Sequence, residues 1–240
     1  MVPGPPAPPA DCSLCARLAA FRAANRRTFP DWHNAPVASF GDPAARLLVV
    51  GLAPGLRGAN RTGRPFTGDH AGIILYDTLR QFGFARGHYR AAPDDGLELI
   101  DCRITNAVRC VPPENRPLGD EVNACRQFLE GELLAPPAPA VILPLGAIAH
   151  ASVIRALALR PSRHPFAHGA VHRVAAGLTL ADSYHCSRYN LNTGRLTSAM
   201  FEAVFAKVRA LVDDLQRGPP LGPRAEPDQP CQPATRWSGP

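Results

Sequence analysis

Four stretches of the chain are apolar without alternation. Arg46–Ala53 (RLLVVGLA), Ile104–Val108 (ITNAV), Ala140–Leu145 (AVILPL) and Gly177–Tyr184 (GLTLADSY) each read as a strand buried on both faces. Helical periodicity fills the gaps. Ile74, Leu75, Thr78, Leu79 and Phe82 share one face over Ala71–Phe82. Val122, Cys125, Phe128, Leu129 and Leu133 do the same over Asp120–Leu134, and Gly146–Leu159 gives a third helix. A fourth, over Thr197–Arg217, carries Phe201, Val204, Phe205, Val208, Leu211, Val212 and Leu215 in an i, i+3, i+4 stripe. Strands alternating with helices predict an α/β fold around a parallel sheet.

The polar residues are gathered where three of these strands end. The first strand runs into APGLRGANRTGRPFTGD, the second into RCVPPENRP and the fourth into HCSRYNLNTGR. Open parallel sheets bind ligands at the carboxyl ends of their strands. A site assembled from these three loops is therefore expected.

Composition sets the limits of the domain. Of 27 prolines in 240 residues, five fall in residues 1–10 and seven in residues 218–240, two segments without apolar periodicity. Both are expected to be disordered tails around one domain, Asp11–Arg217. Hydrophobic residues make up 45% of the chain, enough for a substantial core. The N-terminus lacks the basic start and apolar centre of a signal peptide, and no stretch is long and apolar enough to span a bilayer. A cytoplasmic monomer with reduced cysteines and no membrane association is the expectation. The net charge of +6 suits a polyanion such as nucleic acid.

The loop GANRTGRPFTGDHAG (58–72) holds four glycines, Arg61, Arg64, Phe66 and Asp69. It is not a P-loop, because GLAPGLRG is followed by Ala59 and Asn60 rather than Lys and a hydroxyl, and G-x-G-x-x-G is absent too. Phe66 is either core or a platform for a base, whose stacking is worth about 1–3 kcal/mol. Asp69 suits the N-cap of the following helix and can also face a substrate. His185 is followed by Ser187, Arg188, Tyr189, Asn190 and Arg195, donors suited to phosphates and base edges. His164, His168 and His172 lack metal-ligand spacing and read as a β-turn segment.

Cys12 and Cys15 form C-x-x-C at the head of the domain, and fourteen residues separate Cys110 from Cys125. Four thiolates would hold zinc or a [4Fe–4S] cluster, and spacing does not choose between them. Cys102, Cys186 and Cys231 remain outside this set.

Taken together, GLAPG…GANRTGRPFTGDHAG, TNAVRCVPPENRP, HPFAHGA and SYHCSRYNLNTGRLT resemble the type-5 uracil-DNA glycosylases, over about Asp11–Leu215. The resemblance implies a three-layer α/β fold with a central four-stranded parallel sheet flanked by helices. It implies a [4Fe–4S] cluster on Cys12, Cys15, Cys110 and Cys125. The implied activity is hydrolysis of the N-glycosidic bond of uracil in DNA, without lyase activity, extending in some members to hypoxanthine or other deaminated bases.

Asp69, Asn115 and His185 would be catalytic. Phe66, Ala53 and Gly55 would meet the base, and Arg61, Arg64, Ser187, Arg188, Tyr189, Asn190 and Arg195 the DNA. The chain departs from the usual pattern at HCSRYN, where members have HVSRQN, and at Arg57, where a His is common. The other reading of the same charge and cysteines is a zinc-stabilised, non-catalytic nucleic-acid-binding module. A nucleotide-handling enzyme acting on a small molecule is a third.

Overall fold

A computed structural model describes residues 7–217, with side chains as far as residue 214. Four strands, β2 (Leu47–Gly51), β5 (Cys102–Asn106), β6 (Val141–Pro144) and β8 (Leu178–Ala181), form the parallel centre of the sheet in the order β5-β2-β6-β8. Every residue of β2 is buried. Leu47 and Val49 face one core with Ile104, Val141 and Leu143, whereas Leu48 and Val50 face another with Ile142 and Leu180. A strand covered on both sides has no polar face to show, which is why its sequence does not alternate.

The expected four-stranded sheet is wider. β1 (Phe40–Gly41) pairs antiparallel with β5, and β7 (Val171–Ala175) pairs antiparallel with β8, so the described sheet has six strands. β7 replaces the turn expected around His172. Its residues alternate between exposed and half-buried, because an edge strand needs only one covered face. A separate hairpin, β3 (Ala85–Arg86) with β4 (Glu98–Leu99), stands apart from the sheet.

α3 (His70–Gln81) and α7 (Ser198–Arg217) cover one face, with Leu75, Leu79, Phe201, Phe205 and Val208 buried in its core. α4 (Gly119–Leu134) and α5 (Ala147–Ala156) cover the other, through Leu129, Leu133, Val153 and Ile154. Each such side chain contributes about 1.5–3 kcal/mol when fully buried. Leu215 of the expected stripe lies beyond the described side chains.

Three helices were not expected: α1 (Ala16–Thr28), α2 (Ala59–Thr62) and α6 (Arg188–Asn192). α1 hides from periodicity because its buried face carries Arg22 and Asn25 as well as Leu18. Residues 7–10 also depart from expectation. Pro9 O accepts from Cys12 N at 3.0 Å and Ala10 O accepts from Arg26 Nη2 at 3.0 Å, so this stretch is attached to the domain rather than loose. Residues 1–6 and 218–240, the rest of the expected tails, together with Cys231, lie outside the described residues.

Candidate active site

β2, β5, β6 and β8 all end on one cavity of about 860 Å³ at the carboxyl edge of the sheet. Gly51, the last residue of β2, stands directly behind two residues of the cavity wall, Asn106 and Phe66. A Cβ on Gly51 would lie 2.3 Å from Asn106 Oδ1 and 2.7 Å from Phe66 Cζ, so only glycine lets those two side chains meet there. Phe66 is buried and holds φ at +53°, a left-handed conformation that costs an aromatic residue free energy. Its ring lies 5.8 Å from that of His185, with the planes 27° apart.

Asp69 is the N-cap of α3. Its Oδ1 accepts from Gly72 N at 2.9 Å, and the other oxygen faces the glycine loop. His185 leaves β8 through Ser183 and Tyr184, and its carbonyl accepts from Asn190 Nδ2 at 2.8 Å. Burial pulls the imidazole below its usual range, and the Asp69 carboxylate opposes that shift. The ring is therefore neutral at neutral pH. Asn115 reaches the rim from a short 3₁₀ turn, Pro113–Asn115, in which Glu114 and Asn115 both have positive φ.

The cavity brings together Asp69, His185, Asn115, Phe66, Ala53 and Gly55, all expected in the site. Ser187, Arg188, Asn190 and Arg195 also line it. Ser187 caps α6, so it and Asn190 shape the loop they stand on. Arg195 is exposed, its guanidinium 4.8 Å from the Tyr184 ring centroid. Tyr189 is 72% exposed and sits between two lining residues, outside the cavity. Arg61 is also exposed and outside it, with Nη2 against Gly68.

Arg64 is a correction. Expected on DNA, it is buried in a box formed by Phe40, Tyr76 and Tyr89, with its guanidinium 5.2–5.8 Å from the three ring centroids. Both Asp95 carboxylate oxygens accept from it at 2.8 Å. Placed this way, the cation braces the loop and cannot reach a phosphate.

Sequence reasoning missed Asn106, Arg57, Phe166 and Tyr184 on the cavity wall. Asn106 carried a signal: a polar residue ending an apolar strand, here buried. Phe166 and Tyr184 owe their places to a cluster behind the wall. His150 Nδ1 meets the buried Asp182 at 2.7 Å, and Tyr184 N donates to His168 Nδ1 at 3.1 Å with the two rings stacked.

Away from this cavity, Cys12, Cys15, Cys110 and Cys125 line a second, small one beside Leu18, Val108 and Phe128. All four are free thiols. Arg22 Nη1 donates to Cys110 Sγ and Arg109 N to Cys125 Sγ, each at 3.4 Å. Burial pushes the Cys125 thiol up to about 11. Among the described residues no three His, Cys, Asp or Glu side chains converge to hold a single metal ion. Nor, among them, is any helix long and apolar enough to cross a membrane.

The family model for the uracil DNA glycosylase superfamily matches residues 38–209. Type-5 uracil-DNA glycosylases are similar along nearly their whole length. That of Thermus thermophilus is 45% identical over 206 residues, spanning 83% of this chain and 93% of the relative. That of Pyrobaculum aerophilum is 39% identical over 204 residues, spanning 83% and 88%. That of Mycobacterium leprae is 40% identical over 208 residues, spanning 83% and 91%.

Proposed function

This chain belongs to the uracil-DNA glycosylase superfamily, alongside the type-5 enzymes, and we propose that it excises uracil from DNA by hydrolysing the N-glycosidic bond. The observation that carries this reading is the meeting of Phe66 and Asp69, from the loop after β2, with His185, from the loop after β8, on one cavity. Other deaminated bases, hypoxanthine among them, belong to the same proposal.

A base stacked in a duplex hides its glycosidic bond, so the nucleotide must turn out of the helix at a cost of a few kcal/mol. The cost is lower for uracil opposite guanine, which is mispaired. Exposed Arg57, Arg188 and Arg195 at the cavity mouth suit phosphates, fixing the register of the strand. Tyr189, exposed beside the mouth, would enter the space that the base leaves in the stack.

Breaking the bond leaves negative charge on the base and positive charge on the sugar. Fixed groups of opposite sign on either side stabilise that separation. Phe66 offers a face for the extruded ring. Neutral His185 donates a hydrogen bond to the base oxygen on which charge collects. The Asn106 amide, on the wall, matches a base edge that both donates and accepts. Asp69 directs the oxygen not used in capping α3 toward the sugar, where it stabilises the cation or orients the attacking water. Asn115 supplies a further polar contact from the rim. Single-turnover excision from uracil-containing duplexes, with Asp69→Asn as comparison, tests the assignment. Equal rates for the two proteins would remove Asp69 from the chemistry.

Cys12, Cys15, Cys110 and Cys125 would hold a [4Fe–4S] cluster. Four free thiols on one cavity, two of them receiving N–H donors, suit thiolate ligation. Ligation by these four residues would cross-link the N-terminal segment, the loop after β5 and α4. Hydrolysis of the bond involves no net oxidation or reduction, so the cluster would have no redox part in it.

A further inference from the structure

The loop of residues 87–97, which joins the two strands of the β3–β4 hairpin, lines none of the substrate cavity, yet two of its side chains reach under the loop that carries Phe66. Tyr89 is one. Its hydroxyl donates to Phe66 O at 3.3 Å and accepts from Gly68 N at 3.0 Å. Asp95 is the other. It holds Arg64 from both oxygens, and it accepts from Arg90 N at 2.8 Å and Leu97 N at 3.1 Å, which closes its own loop around the ion pair.

Arg64 in turn donates through Nε to Thr67 Oγ1 at 2.8 Å. Tyr76, stacked on Tyr89 at 4.8 Å, donates to Pro65 O at 2.7 Å. Pro65, Phe66, Thr67 and Gly68 are thus each held from beneath, two of them by one oxygen atom.

This grip addresses a specific problem. Phe66 stands at positive φ, and such a conformation persists only where its surroundings over-determine it. The same bend brings Phe66 O against the first turn of α3, where a Cβ on Gly72 would lie 1.8 Å from that oxygen and 2.7 Å from Tyr89 Oη. Asp69 lies between Gly68 and that turn. One hydroxyl therefore fixes the peptides on either side of Thr67, and with them the direction of the Phe66 ring and the start of the Asp69 cap.

We propose that Tyr89 is a positioning residue for excision, its hydroxyl holding Phe66 and Gly68 so that Phe66 and Asp69 face the flipped nucleotide. The inference rests on the reading of Phe66 as the surface against the base. Tyr89→Phe removes one oxygen and keeps the ring against both Tyr76 and Arg64, so the fold is retained.

The test is a double-mutant cycle with Phe66→Leu. Single-turnover excision and equilibrium binding are measured on a uracil duplex, with thermal melting alongside. Tyr89→Phe is expected to lower the excision rate about tenfold while binding changes by less than about twofold, the split of a group that acts on the reacting geometry. In the Phe66→Leu background the same change is expected to cost less than in the parent, with only the share acting through Asp69 remaining, because coupled residues are not additive. Equal losses in the two backgrounds, or an unchanged rate in Tyr89→Phe, would overturn the proposal. A Phe66→Leu protein excising at the wild-type rate would instead fail the site reading, and this inference with it.

Discussion

Asp69 and Gly58 are matched: a Cβ on Gly58 would lie 3.0 Å from Asp69 Oδ2 and 3.3 Å from Thr67 O. The carboxylate divides its oxygens, one capping α3 at Gly72 and one facing the glycine loop. Asp69→Asn keeps an oxygen for the cap and loses the charge. We expect excision to fall at least about 10²-fold while the melting temperature holds. Asp69→Ala should lose the cap as well, at about 1 kcal/mol of stability. Single-turnover kinetics and thermal melting of the two variants separate the roles.

Gly58→Ala places a methyl against that same oxygen and against a backbone carbonyl that cannot swing away. The expected result is slower excision with binding largely retained, because the disturbed group faces the sugar rather than the phosphates. A variant as fast as the parent would show that Asp69 tolerates displacement.

His185 should titrate below the usual imidazole value of 6.5, because burial disfavours its charged form more than Asp69 favours it. Asp69→Asn should move the midpoint lower still, since the carboxylate is what raises it. The unfolded chain then binds more protons than the folded one between the two values. This group's contribution to stability is accordingly present above pH 6.5 and lost as pH falls. NMR titration of the ring in both proteins checks the sign, and an upward shift in Asp69→Asn would contradict it.

Two arginines should behave differently toward salt. Arg188→Ala is expected to weaken DNA binding and reduce the slope of log affinity against log salt by about 1. Arg64→Gln should leave that slope unchanged and destabilise the fold by about 3–5 kcal/mol, because it strands the buried Asp95. Binding titrations at several ionic strengths, with denaturant unfolding, distinguish the two.

Cys12→Ser is expected to lose iron and stability together. Arg22, which bonds Cys12 O at 2.8 Å and Cys110 Sγ, ties α1 to the same place, so loss of the cross-link should loosen α1 before the sheet. Iron content and melting of the purified variant test this, and full retention of iron would refute the ligand assignment.

The parallel centre of the sheet was legible because its strands are buried on both faces and show it as unbroken apolar runs. The edges were not. Phe40–Gly41 is too short to carry a pattern, and Val171–Ala175 mixes His172 and Arg173 into a strand with one covered side. The site was legible where polar residues cluster after a strand, as at Asp69 and His185. It was misread at Arg64, because one arginine in a basic loop looks like another until Asp95, 31 positions away, is seen to claim it. Tyr89 gave no signal, since its hydroxyl acts on peptide groups, which every residue possesses.

The loops around the cavity are held independently. Arg64 and Asp95 secure one. Glu121 secures another, accepting from Arg17 and from Leu118 N at 2.7 Å while Arg17 also bonds Arg116 O at 3.0 Å. Ser187 and Asn190 secure a third. A substitution that reshapes one wall thus leaves the foundations of the others intact. Such an architecture can explore altered lesion preferences by single steps, each viable on its own, and laboratory selection could diversify one segment at a time without rebuilding its neighbours.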